Sequence, residues 1–392
     1  MKRYIIIANA VIVLVCAVIF AFTVPIFSSG GENELLRPIN GLEVIDFQGG
    51  SPTHAARCMT VIDAKTGNVL FSHNANERRG MASTTKIMTA LVAIENGDIE
   101  AEFVIPKEAV GIEGSSVYLK EGERLTLKEL LYCLLLESGN DAATAIAISV
   151  GGTEEEFVRM MNEKAKVLGL TDTSFANPHG LSAETHYTTA HDLAIITANA
   201  MQYPLFCEIA ATKRYSVRYD GTENGRHLVN HNKLLFGTSY AIGVKTGYTK
   251  RDGKCLVSAA EKDGMRLIAV TLQDAFPTAT HKTLLEHAFS THESIKLADI
   301  GELVSSVHIN NGDKPFADVK NYLPAEILLP KNAKVTCELN LPQALFAPLE
   351  KNSTVGYAVF RANGKVVYIT NLETTEEIKE KKKTLAEKLF GE

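Results

Sequence analysis

The chain has 392 residues and 42.7 kDa, with 45% hydrophobic and 22% charged residues; this excludes wholesale disorder and a disulfide mini-scaffold and predicts two domains plus attachments. Lys and Arg number 40 against 46 Asp and Glu, and the net charge of -6 removes the positive field that nucleic-acid binders need. No nucleic-acid partner is expected.

Met1-Lys2-Arg3 precedes an apolar run, Ile5–Phe22, broken only by Asn9. Basic residues before such a run mark an export signal, and a helix of that length reaches about 27 Å, enough for a retained anchor as well. Residues 1–27 are therefore a signal sequence or a membrane anchor, and the remainder is expected outside the cytoplasm. Phe22, Pro25 and Phe27 crowd the cleavage window, although Ser28-Ser29-Gly30 offers a site; Val15 is too large to make Cys16 a lipidation site. The other cysteines are Cys58, Cys133, Cys207, Cys255 and Cys337, with no CxxC. Their odd number points to buried free thiols, with two pairs still open, and no zinc site is expected.

Further along, Cys58–Asp63, the turn Ala64-Lys65-Thr66-Gly67 and Asn68–Ser72 read as a β-hairpin. A helix follows, opened by Ser83, carrying Ile87, Leu91 and Ile94 at helical spacing and closed by Gly97. Leu127–Leu136 is apolar all round and reads as a buried helix. Ser138-Gly139-Asn140 breaks it, and Asp141 is expected to cap the next helix. Helices are also expected over Glu154–Leu168, Ala190–Met201 and Thr280–Phe289. Between the last two lie strands Ile242–Thr246, Cys255–Ala260 and Met265–Leu272, the latter pair joined by Lys262-Asp263-Gly264. The order predicts an α+β fold: an antiparallel sheet flanked by helices, with a helical insertion.

From about Leu303 short strands and turns dominate, including Val304–Ile309, an alternation at Val335, Cys337, Leu339 and Leu341, and a hairpin at Asn363-Gly364. These predict a small C-terminal all-β domain over 300–371. Residues 373–392 are charged, with Ile378, Leu385, Leu389 and Phe390 on a loose stripe, and read as a terminal helix. It is solvated or, alternatively, lies on a membrane, although its lysines and glutamates nearly cancel.

Three motifs occur in order: Ser83-Thr84-Thr85-Lys86, Ser138-Gly139-Asn140 and Lys245-Thr246-Gly247. Each alone has an ordinary explanation, as a helix cap, an interhelix turn and a strand end, and Lys65-Thr66-Gly67 and Ser72-His73-Asn74 repeat two of the patterns inside the first hairpin. The elements carrying the trio make it informative. A serine at a helix N-terminus sits beside unpaired N–H groups suited to an oxyanion. Lys86 lies on the same face, and a lysine serves as base when burial or a second cation lowers its pKa. Lys245 is a candidate for that cation. Ser138 can face a cleft from its turn, and Gly247 leaves the strand open to an extended substrate backbone.

At these residues the sequence resembles the penicillin-binding serine D-alanyl-D-alanine carboxypeptidases, whose wider group carries a closely related trio. The resemblance covers roughly residues 40–370. It extends to Gly114-Ser115-Ser116-Val117-Tyr118-Leu119 with Glu121-Gly122-Glu123, to Asn177-Pro178-His179-Gly180-Leu181, and to Thr249. It implies a β-lactamase/DD-peptidase-like catalytic domain over 36–292, and a peptidoglycan pentapeptide and β-lactam antibiotics as partners. Ser83 would attack the bond between two terminal D-alanines, Lys86 would take its proton, and Ser138 would relay a proton to the leaving amine. Asn140 would hold a substrate amide, while Lys245, Thr246 and Thr249 on the Gly247 strand would fix the carboxylate. The N–H groups of Ser83 and of Thr249 or Tyr248 would form the oxyanion hole. No cofactor is implied, and the site would work at the extracytoplasmic face of the bacterial membrane or in the cell wall.

Two rivals remain. A class A β-lactamase would place an ExxLN glutamate between the second and third motifs, and none of Glu154 to Glu223 has Leu and Asn at those offsets. A β-lactam sensor that acylates without turnover would carry a signalling domain, and nothing like one precedes Ile5. His227 and His231 at i, i+4 hint at a metal pair but lack an adjacent acidic ligand.

Overall fold

The computed structural model describes residues 52–217 and 225–382. The expected signal sequence or anchor, residues 1–27, and residues 383–392 of the expected terminal helix lie outside the described residues.

The first hairpin pairs β1 (Ala56–Asp63) with β2 (Val69–His73). A 3-10 turn, Ala82–Thr85, leads into α1 (Lys86–Asn96), which ends at Gly97. The short strands β3 (Glu102–Val104) and β4 (Arg124–Thr126) pair. They precede α2 (Leu127–Leu136), α3 (Asn140–Gly151), α4 (Glu154–Val167), α5 (Ala190–Ala200) and α6 (Pro204–Ala211). Hairpin β5 (Arg214–Val217) with β6 (Arg226–Val229) and the single turn α7 (Leu234–Gly237) return the chain to the main sheet. There β7 (Ala241–Thr249), β8 (Gly253–Lys262) and β9 (Met265–Asp274) complete five antiparallel strands in the order β2-β1-β9-β8-β7, and α8 (Pro277–Thr291) follows.

Both faces of this sheet are buried, which explains its nearly continuous apolar strands. In β1 the alternation sends Met59 and Val61 toward Leu284, Leu285 and Ala288 of α8. Cys58 and Ile62 face the larger core formed with α1, α2, α3 and α5. Helix α2 has the expected bounds, fixed at its start by a reciprocal cap in which Thr126 Oγ1 accepts from the Glu129 N–H and the Glu129 carboxylate accepts from the Thr126 N–H.

Beyond α8 the structure is all-β. β10 (His292–Ala298) pairs with β13 (Ala325–Pro330). β11 (Val304–Asn310), β12 (Phe316–Lys320), β14 (Val335–Asn340), β15 (Ala344–Phe346), β16 (Thr354–Ala362) and β17 (Lys365–Thr374) form a six-stranded sheet. Asn363 and Gly364 close the β16–β17 hairpin at φ +50° and +83°, the conformation that favours this dipeptide. Lys65 Nζ meets Glu326 at 2.8 Å and Asn68 Nδ2 donates to the Val367 carbonyl at 3.2 Å, so the turn of the first hairpin touches this domain.

Two expectations are corrected here. Residues 373–382 are not helical: β17 continues to Thr374, Ile378 bridges to Leu349, and Glu380 to Gly312. Ile378 is fully buried against Ile309, Ala317 and Ala347, and docking that one apolar side chain outweighs a local helix preference. The five cysteines of the described residues are all unpaired, but only Cys58, Cys133 and Cys255 are buried: Cys207 is half-buried and Cys337 is exposed on an edge strand of the six-stranded sheet. Among the described residues no helix is long and apolar enough to cross a membrane.

Candidate active site

The nucleophile candidate lies in the 3-10 turn, not at a conventional cap. The Lys86 N–H bonds back to the carbonyls of Ser83 and Thr84, and Ser83 makes no side-chain cap. Ala82 is held at φ +47°, a left-handed conformation costing an L-residue about 1–2 kcal/mol. Side chains of the turn itself take up its carbonyls: Thr84 Oγ1 donates to Met81 O, and Thr85 Oγ1 to Ala82 O at 2.8 Å.

Lys86 begins α1 with no exposed surface. Its Nζ lies 3.1 Å from Ser83 Oγ, 2.7 Å from Asn140 Oδ1 and 2.6 Å from the His179 carbonyl. Burial, reinforced by the charge of Lys245 and opposed by Asp141, holds its pKa well below the ordinary lysine value. A neutral amine has two N–H donors and one lone pair. With Asn140 and His179 taking the donors, the lone pair faces the Ser83 hydroxyl proton, the arrangement a general base requires.

Asn140 opens α3. Its Nδ2 donates to Glu113 O, its N–H to Ser115 O at 2.7 Å, and a side chain at Gly114 would strike it. Asp141 does not cap the helix as expected. Its carboxylate accepts from Ser116 Oγ at 2.6 Å and from the N–H groups of Val117 and Leu119 at 3.1 and 3.0 Å. It thereby pins the 116–119 segment over the Ser-Gly-Asn turn. Ser138, the residue of that turn nearest α2, is 4% exposed and sits at φ +62°.

Lys245 is 1% exposed on β7, the edge strand of the sheet, and donates to Thr246 O at 3.0 Å. Burial lowers its pKa to about 7, with Glu137 opposing. Gly247 presses on the nucleophile turn: a Cβ there would lie 3.0 Å from Met81 O and 3.1 Å from the nitrogens of Ser83 and Thr84. Tyr248 is exposed, while Thr249 Oγ1 accepts from the Asp252 N–H at 2.9 Å and meets Ser182 Oγ at 3.0 Å.

The 177–181 segment closes the remaining side. Asn177 Oδ1 accepts from the Gly180 N–H and its Nδ2 donates to Leu181 O, a side-chain turn that presents the His179 carbonyl to Lys86. Gly180, at φ +93°, lies so close to the Ala82–Ser83 peptide that a Cβ would fall 2.1 Å from Ala82 O. The structure thus brings Lys86 into contact with both Ser83 and Asn140, sets Gly247 against Ser83, and places Thr249 among Ser182 and Asp252. His186 was not legible as a site residue: it is buried and its Nε2 lies 2.7 Å from Thr85 Oγ1, but a lone histidine in His186-Tyr187-Thr188-Thr189 carries no spacing signal. His227 and His231 bond Ser216 and Glu137, and no cluster able to hold a metal ion occurs among the described residues.

This turn, amine and edge strand can activate a hydroxyl toward a carbonyl and seat an extended peptide beside it. Comparison with known proteins agrees. Residues 46–276 match the peptidase S11 family, described as D-alanyl-D-alanine carboxypeptidase, and residues 292–380 match the penicillin-binding protein 5 C-terminal domain. D-alanyl-D-alanine carboxypeptidase DacF of Bacillus subtilis is 35% identical over 337 residues, 83% of this chain and 86% of that protein. DacA of Escherichia coli is 32% identical over 351 residues, 84% and 85% of the two chains. The crystal structure of penicillin-binding protein 5 from Haemophilus influenzae superposes with a TM-score of 0.76 at 28% identity, covering 84% of this chain and 99% of its own. A mutant of the Streptomyces K15 DD-transpeptidase gives 0.58 at 32% identity over 61% and 99%. The chain belongs to the peptidase S11 family, the serine D-alanyl-D-alanine carboxypeptidases of the low-molecular-mass penicillin-binding type.

Proposed function

We propose that this chain removes the terminal D-alanine of peptidoglycan stem peptides through an acyl-enzyme on Ser83. The observation that carries the assignment is the buried Lys86 amine, 3.1 Å from Ser83 Oγ and depressed in pKa. As Ser83 Oγ bonds to the carbonyl carbon between the two D-alanines, its proton passes to Lys86 Nζ. The oxyanion is held by the N–H of Ser83 and that of Thr249 or Tyr248. Collapse breaks the C–N bond, and Ser138 relays a proton to the departing D-alanine amine. Water then hydrolyses the ester and regenerates Ser83.

Lys245, Thr246 and Thr249 fix the terminal carboxylate, the last by giving up its contact with Ser182. Asn140 turns from Lys86 to the substrate amide, and Gly247 lets the peptide lie along the β7 edge. A β-lactam acylates the same serine and leaves slowly. Because peptidoglycan lies outside the cytoplasm, the catalytic part acts there, and Lys2-Arg3 with the Ile5–Phe22 run supports delivery through a cleaved signal or a retained anchor.

The test is covalent labelling with a fluorescent penicillin beside D-alanine release from a pentapeptide. Wild type takes the label and releases D-alanine, while Ser83→Ala does neither. Label persisting on Ser83→Ala refutes the nucleophile; rapid penicillin hydrolysis without D-alanine release refutes the carboxypeptidase reading.

A further inference from the structure

We infer that His186 is a positioning residue for the Ser83 peptide N–H, acting through the Thr85 hydroxyl and the Ala82 carbonyl; the inference rests on Ser83 being the nucleophile and its N–H an oxyanion donor. The hydrogen bonds run in one direction. The Ala176 N–H donates to His186 Nδ1 at 3.0 Å, so that nitrogen is the acceptor and the ring proton sits on Nε2. His186 Nε2 is 2.7 Å from Thr85 Oγ1, and Thr85 Oγ1 is 2.8 Å from Ala82 O. With Nε2–H donating to Thr85, the threonine hydroxyl proton is left for the Ala82 carbonyl. Ala82, Thr85 and His186 are all buried, so no water competes for these groups. Burial keeps the ring neutral, lowering its pKa to about 4 against the pull of Asp252, and Phe175 packs edge-on at 5.9 Å.

The consequence follows from the planarity of the peptide. Ala82 C=O and Ser83 N–H belong to one rigid unit and point in opposite directions across it. Fixing where the carbonyl points therefore fixes where the N–H points. The anchor has work to do, since Ala82 is strained at φ +47°, and Gly180 and Gly247 press on the same turn from two other elements. A donor preset toward a developing oxyanion is effective because nothing reorganises during the reaction.

The experiment measures acylation and deacylation rates of a fluorescent penicillin on the full chain, with thermal melting alongside. Thr85→Val and His186→Leu each break the relay. Both steps pass through an oxyanion, so each variant should slow acylation and deacylation by about 10- to 100-fold, short of losing a donor outright. Thr85→Ser keeps the hydroxyl and should stay within about threefold of wild type, and the double variant should be no slower than the slower single, as for links in series. If one single variant fails to fold, the other and Thr85→Ser carry the comparison. Acylation by Thr85→Val within about threefold of wild type, deacylation unaffected, or losses that multiply in the double variant would overturn the inference. Label on Ser83→Ala would instead strike the nucleophile assignment.

Discussion

Lys245→Met should make the protein more stable while abolishing its chemistry, and the gain should depend on pH. In the unfolded chain this lysine stays protonated up to about its ordinary 10.5, whereas burial in the folded chain brings the value down to about 7. Between those values the unfolded state binds more protons, so wild-type stability climbs with pH. The cost of burying Lys245 is full below pH 7 and disappears above 10.5. At 1.36 kcal/mol per pKa unit that cost is about 5 kcal/mol at pH 6 and about 2 kcal/mol at pH 9. Methionine fills the same unbranched volume without a charge, but leaves the Thr246 carbonyl without its donor, a loss of about 1 kcal/mol. The net gain should be about 4 kcal/mol at pH 6 and about 1 kcal/mol at pH 9. Urea unfolding followed by circular dichroism at the two pH values measures it, and penicillin labelling reports the lost acylation. An equal gain at both pH values, or a loss at pH 6, would refute the claim that this buried amine is held near neutrality.

Three further substitutions probe other parts of the structure. Gly180→Ala drives a methyl to within 2.1 Å of Ala82 O at a backbone φ of +93°; we expect a loss of about 2–4 kcal/mol in urea and acylation slowed about 100-fold, and near-normal acylation would show that the turn has room. Asp141→Asn leaves one carbonyl oxygen for the donors of Ser116, Val117 and Leu119, so stability should fall by about 2–3 kcal/mol and amide exchange at Val117 and Leu119 should accelerate. Unchanged exchange there would remove Asp141 from its pinning role. Ile378→Ala opens a cavity in the C-terminal domain and should lower its unfolding free energy by about 2–4 kcal/mol while penicillin labelling continues at the wild-type rate; a drop in labelling would mean that the domain supports the site.

What the sequence made legible was local or periodic. Helix α2 has the bounds read from its apolar run because a helix buried all round needs no partner to be recognised, and the Asn363-Gly364 hairpin follows from turn chemistry. The three motifs could be assembled from order and element type. The failures occur where a long-range partner decides. Asp141 looks like a cap, but its acceptors serve a segment more than twenty residues earlier. Ile378 looks like part of a helical stripe, yet a pocket lined by Ile309 and Ala317 claims it. His186 reaches Thr85 across about a hundred residues, and no spacing rule spans that distance.

The whole-chain charge of -6 and the two buried lysines belong to different problems. Surface acids and bases are solvated and cheap, whereas Lys86 and Lys245 are each essentially without exposed surface and work against the fold at neutral pH. Among the described residues neither is neutralised by a carboxylate in contact: the partners of Lys86 are the Ser83 hydroxyl, an amide oxygen and a carbonyl, and that of Lys245 is the Thr246 carbonyl. A carboxylate partner would have stabilised the protein by restoring the charge, and it would have ended the usefulness of Lys86 as a base. The fold instead keeps Asp141 and Glu137 within electrostatic reach of the two lysines while binding their oxygens elsewhere, Asp141 to the 116–119 segment and Glu137 to Val229 and His231. Both acids adjoin the Ser138-Gly139-Asn140 motif, so the middle motif does more than present Ser138 and Asn140. Its neighbours limit how far the two lysines are depressed without pairing with either, which suits the proposed roles of Lys86 as acceptor of the Ser83 proton and of Lys245 as cation for a substrate carboxylate.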